Sequence, residues 1–134
     1  MKVSYLVDTD WVIDHLANIK ATTEKLRELQ PKGVALSVVS LAELYEGVYY
    51  SRDPEKNEIV LHTFFSKFPV MGVDTNICQC FGRERGKLRK AGKMIGDFDL
   101  LIAATCLCHN LTLLTNNVSH FERIEGLRLL SIRK

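Results

Sequence analysis

The sequence predicts an α/β protein with a central parallel sheet of four to five strands and helices on both faces. Three observations lead to this fold class. Short apolar runs alternate along the chain with longer segments whose apolar residues recur at helical spacing. Strands separated by helices favour a parallel sheet that helices cover on both sides. The 134 residues are 46% hydrophobic and 25% charged, which suits one globular domain over residues 1–134.

The strands are predicted at short apolar runs that end near a polar or turn-forming residue. In chain order they cover residues 3–7, 34–37, 70–73 and 111–115, with 127–130 as a fifth candidate. Parallel strands bring their carboxyl ends to one edge of the sheet, and ligands bind near such an edge. Asp8, Ser37, Asp74 and Asn116 all come just after predicted strands, so this edge is the first place to expect a site.

The helices are predicted from apolar spacing and from the residues at their ends, over 10–18, 22–29, 40–50, 53–68, 74–90 and 97–110. Pro31 and Gly33 break the chain between the second helix and the second strand, and Asp74 is expected to cap the fifth helix. The last helix is apolar almost all round, which predicts that it is buried.

Composition and charge narrow the function classes. No apolar run reaches the roughly 20 residues that span a bilayer, and the N-terminus does not resemble a signal peptide, so we expect a cytoplasmic protein without a membrane partner. The net charge of +2 does not by itself indicate nucleic-acid binding. Its distribution is more informative, because residues 83–93 contain six basic residues and one acid.

Four cysteines form two Cys-x-Cys pairs, Cys78/Cys80 and Cys106/Cys108. Zinc sites favour longer gaps, and a one-residue gap on a helix sends the two thiols to different faces. We therefore expect free, buried cysteines in a reducing compartment rather than a zinc site.

Two carboxylates, Asp8 and Asp10, follow the first strand. Like charges this close repel by about 4 kcal/mol at ~4 Å with an effective dielectric of ~20. One of the pair can serve as the N-cap of the next helix, and Asp10 suits that role. Asp8 is then left as the candidate site residue, and Asp10 as a supporting one.

Two further acidic positions have both a structural and a functional interpretation. Ser40 and Glu43 fit a capping box at the start of the third helix, and Glu43 also suits a solvated face. Asp97 suits the N-cap of the last helix, which leaves Asp99 to face a cleft.

Thr115, Asn116 and Asn117 follow the fourth strand, where Asn is also common in turns. If Asp8, Glu43 and Asp99 converge, their hard oxygen ligands indicate Mg²⁺ or Mn²⁺. Such an ion activates water and neutralises charge on a phosphodiester. Thr9 and the Thr-Asn-Asn turn would then support the site.

A basic stripe accompanies these acids. Arg83, Lys87 and Lys90 have the spacing i, i+4, i+7 and share one helix face. This stripe suits RNA backbone phosphates, and the alternative is a solvated helix face.

Three stretches resemble PIN-domain ribonucleases, and more narrowly the VapC toxins of prokaryotic toxin–antitoxin pairs: "YLVDTDWVIDHL", "LSVVSLAELYEGV" and "IGDFDLLIAATCLCHNLTLLTNNVSHFERIEGLRL". The resemblance covers essentially the whole chain. Asp8, Glu43 and Asp99 fall on the acidic metal-site positions of the family. The chain departs from the family's pattern at Asp10, where Asn is usual, and at Asn116 and Asn117, where many relatives carry a fourth acid.

The resemblance implies a PIN-like three-layer fold and endoribonuclease activity that depends on Mg²⁺ or Mn²⁺. It also implies an RNA substrate, a homodimer and inhibition by a cognate antitoxin. A fourth ligand weaker than a carboxylate leaves open whether one or two ions bind.

Two other interpretations of the residues remain open. A haloacid-dehalogenase-like phosphotransferase would use Asp8 as a covalent nucleophile and Asp10 as acid/base, but it leaves Glu43 without a role. A PIN module that binds RNA or protein without catalysis is the second, and only the missing fourth acid supports it.

Overall fold

The computed structural model describes residues 2–132, so the ends of the expected domain, residues 1 and 133–134, lie outside it. Within this range five parallel strands form one sheet in the order β3-β2-β1-β4-β5. The strands are β1 Tyr5–Val7, β2 Val34–Ser37, β3 Val70–Met71, β4 Thr112–Leu114 and β5 Arg128–Leu130. This confirms the predicted parallel sheet and its fifth strand.

The helices are α1 Thr9–Leu16, α2 Lys20–Leu29, α3 Val38–Tyr49, α4 Pro54–Phe65, α5 Thr75–Ala91, α6 Asp97–His109 and α7 Val118–Phe121, with a 3₁₀ turn at Gln30–Lys32. Every predicted helix is present, and most ends differ from the prediction by one to three residues. The four-residue α7 was not predicted, because one turn of helix carries too few apolar positions to show a period. Asp74 caps α5 as expected, accepting a hydrogen bond from the Ile77 N–H at 2.9 Å.

The strand register places the carboxyl ends of β1, β2 and β4 at the same level of the sheet. Val7 at the end of β1 pairs with Leu36 of β2 and Leu114 of β4. The Asp8 N–H continues this pairing by donating to the Leu114 carbonyl at 2.9 Å. The residues that follow β1, β2 and β4 therefore lie side by side at the carboxyl edge of the sheet.

Side chains alternate across the sheet and divide the core into two layers. Leu6, Ala35 and Leu113 face the layer built by α5, α6 and α7. Val7, Leu36 and Leu114 face the layer built mainly by α1, α2, α3 and α4. Helices thus cover both faces of the sheet, and the three-layer arrangement is confirmed. The prediction that α6 is buried holds for the middle of the helix, where Leu100, Ile102, Ala103 and Ala104 are each 0% exposed, but not for its first turn, where Phe98 is 55% exposed.

Gly33 occupies a position that admits no side chain. Its φ of +94° is unfavourable for other residues, and a Cβ there would lie 2.0 Å from the Lys2 carbonyl oxygen. Its own carbonyl accepts hydrogen bonds from the N–H groups of Ser4 and Tyr5 at 2.9 and 3.0 Å. This close approach joins the start of β1 to the start of β2.

Across residues 2–132, no helix combines the length and the apolar character needed to cross a bilayer.

The cysteines are only partly as expected. All four are free, but Cys78 and Cys108 are exposed while Cys80 and Cys106 are buried. The one-residue gap on a helix explains this, because it puts the two thiols of each pair on different faces. The expectation that all four are buried was therefore wrong.

Candidate active site

Asp8 occupies the centre of the candidate site at the carboxyl end of β1. It is 5% exposed. One carboxylate oxygen accepts from the Thr9 N–H and the other from the Thr115 hydroxyl, each at 2.8 Å. The two bonds hold the carboxyl group rigidly at the junction of β1 and β4.

The surroundings of Asp8 disfavour its charged form. Burial, the charge of Asp10 and the charge of Asp99 raise the pKa of Asp8 from 3.8 to about 7, although the hydrogen bonds from Thr115 and Thr9 act in the opposite direction. A buried carboxyl with a strongly raised pKa is typical of functional sites.

Asp8, and not Asp10, is the N-cap of α1, so the expectation that Asp10 takes this role was wrong. The helix begins one residue earlier than predicted, which places Asp10 in its first turn. There one Asp10 oxygen accepts from the Trp11 N–H at 2.8 Å, and the other accepts from the Asn116 N–H at 2.9 Å. Asp10 thereby joins α1 to the turn after β4.

Glu43 reaches the same site from α3. Its carboxylate accepts a hydrogen bond from the Thr9 hydroxyl at 3.0 Å, across 34 residues of sequence. Partial burial and the charges of Asp99 and Glu46 raise the pKa of Glu43, and the Thr9 hydrogen bond offsets part of that effect. Glu43 is half-buried, so it does not lie on a fully solvated face, the alternative considered from sequence.

The capping box predicted for Ser40 and Glu43 was wrong. The helix begins at Val38, and the Ser37 hydroxyl caps it by accepting from the Val39 N–H at 3.0 Å. Ser40 is 0% exposed, inside the first turn rather than ahead of it. Because the strand runs directly into the helix, the cap lies three residues before the sequence signal, and Glu43 is left for the site.

Asp99 lies in the first turn of α6, with its side chain 26% exposed. Its charge contributes to raising the pKa values of both Asp8 and Glu43. Asp99 thus interacts electrostatically with both of the other acids selected from the sequence, and a metal site shared by the three stays a prediction.

Asp97 does not cap α6, contrary to expectation. Gly96 is the N-cap and makes no side-chain hydrogen bond. Asp97 instead accepts from the Arg85 Nε at 3.2 Å. The first acid of "DFD" thus pairs with a base on α5, and only the second joins the acidic cluster.

In the Thr-Asn-Asn turn, Thr115 contacts Asp8, whereas Asn116 makes structural hydrogen bonds. Thr115 donates to Asp8, and its hydroxyl oxygen accepts from the Asn117 N–H at 3.0 Å. The Asn116 side-chain oxygen accepts from Trp11 Nε1, the Ser131 hydroxyl and the Ile132 N–H, at 3.0–3.1 Å. Asn116 therefore ties the C-terminal segment to α1.

His120 lies beside Asp99 and was not selected from the sequence. Its Nδ1 lies 3.5 Å from the Asp99 carboxylate and 2.9 Å from the Asn117 side-chain nitrogen. His120 lies on the short helix α7. The available signal was a histidine six residues beyond the end of β4, a strand that pairs with β1, but its use depended on recognising α7.

The predicted RNA-backbone residues Arg83, Lys87 and Lys90 are all exposed on α5. Lys87 also pairs with Glu84 at 3.1 Å. Helical periodicity puts the three on one flank and Arg85, which contacts Asp97, on the opposite flank. The stripe is therefore accessible, but Arg85 is the basic residue of α5 that contacts the start of α6.

The donor chemistry of the acids fits a hard divalent cation, although the side chains do not enclose one. In the part of the chain that the structure describes, no three His, Cys, Asp or Glu side chains are grouped closely enough to hold a metal ion as they stand. Glu43 is turned to Thr9 and Asp99 to His120. Both side chains are partly exposed. The raised pKa of Asp8 is the feature that a bound cation would relieve.

Comparison with known proteins agrees with this geometry. The PIN domain family description matches residues 5–127. A tRNA(fMet)-specific endonuclease VapC of Shigella flexneri is 32% identical over 126 residues, which is 94% of this chain and 96% of that protein. A Ribonuclease VapC2 of Haemophilus influenzae is 33% identical over 127 residues, with coverage of 94% and 96%. This chain is a PIN domain of the VapC family.

Solved structures similar to this VapC chain come from toxin–antitoxin complexes. The crystal structure of VapBC2 from Rickettsia felis, bound to a DNA fragment from their promoter, matches with a TM-score of 0.92 and 30% identity over 98% of this chain and 100% of that one. VapBC-1 from nontypeable Haemophilus influenzae matches with a TM-score of 0.87 and 30% identity, with coverage of 96% and 98%. The PIN-like fold predicted from the sequence is confirmed, and the haloacid-dehalogenase interpretation loses its basis.

Proposed function

We propose that this VapC protein is a metal-dependent endoribonuclease toxin that cleaves RNA phosphodiester bonds with water and is neutralised by a cognate antitoxin. The observation that supports the proposal is the buried Asp8 at the carboxyl edge of the sheet, where burial and the charges of Asp10 and Asp99 raise its pKa to about 7, while burial and Asp99 also raise the pKa of Glu43. Relatives at 32–33% identity are named as VapC ribonucleases, which supports this reaction class.

Asp8, Asp99 and Glu43 would hold Mg²⁺ or Mn²⁺, because these ions prefer carboxylate oxygens. When bound, such an ion supplies a water nucleophile and neutralises charge on the phosphodiester. The chain itself fixes Asp8 through Thr9 and Thr115, so this ligand is already in place before an ion arrives.

Basic side chains would offset the repulsion between these acids and RNA. Arg83, Lys87 and Lys90 are exposed and suit the backbone phosphates beyond the cleavage point. Arg85 is paired with Asp97, so it neutralises one acid next to the site rather than adding a free positive charge.

A groove between α1, α2 and α4 suits an antitoxin segment. Its volume is about 380 Å³, and Phe64 and the partly exposed Ile59 are among its apolar lining residues. Arg27, Lys67 and His15 also line it. The pKa of His15 is lowered first by burial and then by the positive charges of Arg27 and Lys67. An amphipathic segment with acidic residues on its polar face complements such a groove. The similarity to VapBC complexes supports an antitoxin as the occupant.

We further propose that the protein acts in the cytoplasm as a homodimer. The family supports both properties, and exposed apolar side chains such as Phe98 and Tyr50 are compatible with a subunit interface. Light scattering of the purified chain tests the dimer directly: a mass of about 15.2 kDa, that of one chain, would contradict it.

An RNA cleavage assay tests the activity. Purified protein freed of antitoxin is incubated with total cellular RNA in EDTA, Mg²⁺ or Mn²⁺, and the cut ends are mapped. We expect cleavage only with a divalent cation, and its loss in Asp8→Asn. Asp53→Asn is the matched control, because Asp53 is an exposed helix cap away from the site and Asn caps as well as Asp.

Two results would contradict the proposal. Undiminished cleavage by the Asp8→Asn variant would remove the assigned centre. Absence of cleavage by the wild type with either cation, at a protein concentration that binds RNA, would favour a non-catalytic binding module.

A further inference from the structure

An open depression lies where the C-terminal end of α5 and the short helix α7 approach each other. Its volume is about 670 Å³, and its lining residues include Lys93, Ser119, Glu122 and Arg123. It shares no lining residue with the groove between α1, α2 and α4. Two cations, one acid and one hydroxyl group therefore line a common space that has a net positive charge.

The depression adjoins the acidic residues of the candidate active site. Ser119 directly precedes His120, whose Nδ1 lies 3.5 Å from the Asp99 carboxylate. On the other side, Lys93 belongs to the short connection between α5 and α6, and Asp99 lies in the first turn of α6. Only a few residues of chain therefore separate either rim of the depression from the site.

Hydrogen bonds of the backbone position both cations. Gly92 ends α5 with a φ of +67°, and the following N–H, that of Lys93, donates to the Leu88 carbonyl at 2.9 Å. Arg123 donates from Nη1 to the Met94 carbonyl at 2.9 Å, which holds its guanidinium group against the connection before α6. This bond uses one of the five guanidinium N–H donors, and the rest of the group can bind an anion.

The charges of Lys93 and Arg123 are not neutralised by a neighbouring acid. Within residues 2–132 neither of them forms an ion pair, whereas Arg85 and Lys87 each pair with an acid. Glu122 lines the same depression but lies beyond ion-pair distance of both cations. Cations that line a concave surface in this way raise the local concentration of anions.

The basic stripe on α5 extends farther from the acids than this depression does. Arg83, the first member of the stripe, lines a different depression together with Cys108. Cys108 follows Asp99 on α6 by nine residues, which is about 14 Å along the helix axis. Arg83 therefore lies toward the far end of α6, whereas Lys93 and Arg123 lie near its start.

We propose that Lys93 and Arg123 form a phosphate subsite that holds the backbone of the RNA substrate beside the cleavage point. The inference rests on the proposed function, because it takes RNA as the substrate. Arginine binds phosphate oxygens through paired N–H groups and lysine binds them as a point charge. The Ser119 hydroxyl can donate a further hydrogen bond. Contacts of this kind position the strand and do not select its sequence.

The test is the salt dependence of RNA binding. Fluorescence anisotropy measures the Kd of a labelled single-stranded oligoribonucleotide in EDTA, which prevents metal-dependent cleavage. Lys93→Gln and Arg123→Gln should each reduce the slope of log Kd against log salt by about 0.7, so that the loss of affinity is about 2.5-fold larger at ~50 mM than at ~200 mM salt. Lys2→Gln is the matched control, because it removes the same charge before β1, at the opposite edge of the sheet from Asp8, and it should keep the wild-type slope.

Two further measurements separate phosphate binding from a structural role. Arg123→Lys keeps the positive charge but loses the guanidinium group that contacts Met94, and it should retain the wild-type slope. In the cleavage assay with Mg²⁺ or Mn²⁺, Lys93→Gln should raise KM by a larger factor than it lowers kcat, because a backbone contact is made before and during the reaction.

The outcomes distinguish this inference from the proposed function. Wild-type slopes in both glutamine variants, or an equal change in Lys2→Gln, would overturn the subsite and leave the nuclease proposal standing. A slope reduced equally in Arg123→Gln and Arg123→Lys, with Lys93→Gln unchanged, would also overturn it. Reduced slopes in both glutamine variants, without cleavage by the wild type, would support the subsite and contradict the catalytic activity alone.

Discussion

Asp8→Asn removes a carboxyl group whose charge the metal-free fold accommodates poorly. An ordinary Asp carboxyl group has a pKa of 3.8. In the folded chain, burial and the charges of Asp10 and Asp99 raise the pKa of Asp8 to about 7. Between these values the folded state binds more protons than the unfolded state, so stability falls as the pH rises. At 1.36 kcal/mol per pH unit, the full penalty above pH 7 is roughly 4 kcal/mol.

The variant should therefore be more stable than the wild type in EDTA, by an amount that grows with pH. Asn keeps the shape but must rearrange the hydrogen bond from Thr115, which reduces the net gain to about 1–3 kcal/mol at pH 8. Between pH 5 and pH 8 the gain should increase by about 2–3 kcal/mol. Urea unfolding at the two pH values measures both quantities, and Asp53→Asn should show no such trend.

Divalent cation should reverse the order of stability. An ion that binds the folded wild type stabilises it in proportion to the logarithm of its concentration above Kd, and the variant loses this effect. A gain for Asp8→Asn that is equal at pH 5 and pH 8, or a loss of stability at pH 8 in EDTA, would refute the assigned electrostatics.

Three further changes test other parts of the structure. Gly33→Ala should lower the free energy of unfolding in urea by about 1–3 kcal/mol, because the added Cβ meets the Lys2 carbonyl and φ is +94°. Gly47→Ala, in open space on α3, should raise it by about 0.5–1 kcal/mol. Equal effects of the two substitutions would refute the steric argument. Glu43→Gln should lower the rate of RNA cleavage by 100-fold or more with the fold intact by circular dichroism, and a near-normal rate would remove Glu43 from the site. Ile59→Glu in the α4 groove should weaken the complex with coexpressed antitoxin by at least tenfold in a titration while cleavage is unchanged, and undiminished binding would place the antitoxin elsewhere.

The sequence was sufficient for the fold because apolar periodicity and strand–helix alternation repeat many times along the chain. It also placed Asp8 directly after a buried strand, because a strand that ends in an acid is visible locally. Asp99 was separated from Asp97 by the argument that one cap suffices for one helix. That reason was wrong, because Gly96 is the N-cap of α6 and Asp97 pairs with Arg85 on another helix, and the role of Asp99 stays a prediction.

The remaining features depend on contacts between distant residues. Glu43 is oriented by Thr9, 34 positions earlier, and its apparent capping role disappears because the third helix starts at Val38. His120 reaches Asp99 only through the short helix α7, which has no periodic signal. The local sequence pattern predicts which polar side chains follow each strand. The register of β1, β2 and β4 determines which of these side chains lie next to one another.

The most direct test of the central claim is a crystal structure of the chain soaked in Mn²⁺, with anomalous scattering used to locate the ion. The account predicts an anomalous peak within bonding distance of Asp8 and Asp99, with the Glu43 side chain turned from Thr9 toward it. A fully occupied peak elsewhere in the structure would contradict it, if the carboxylates of Asp8, Glu43 and Asp99 have not moved and bind no ion.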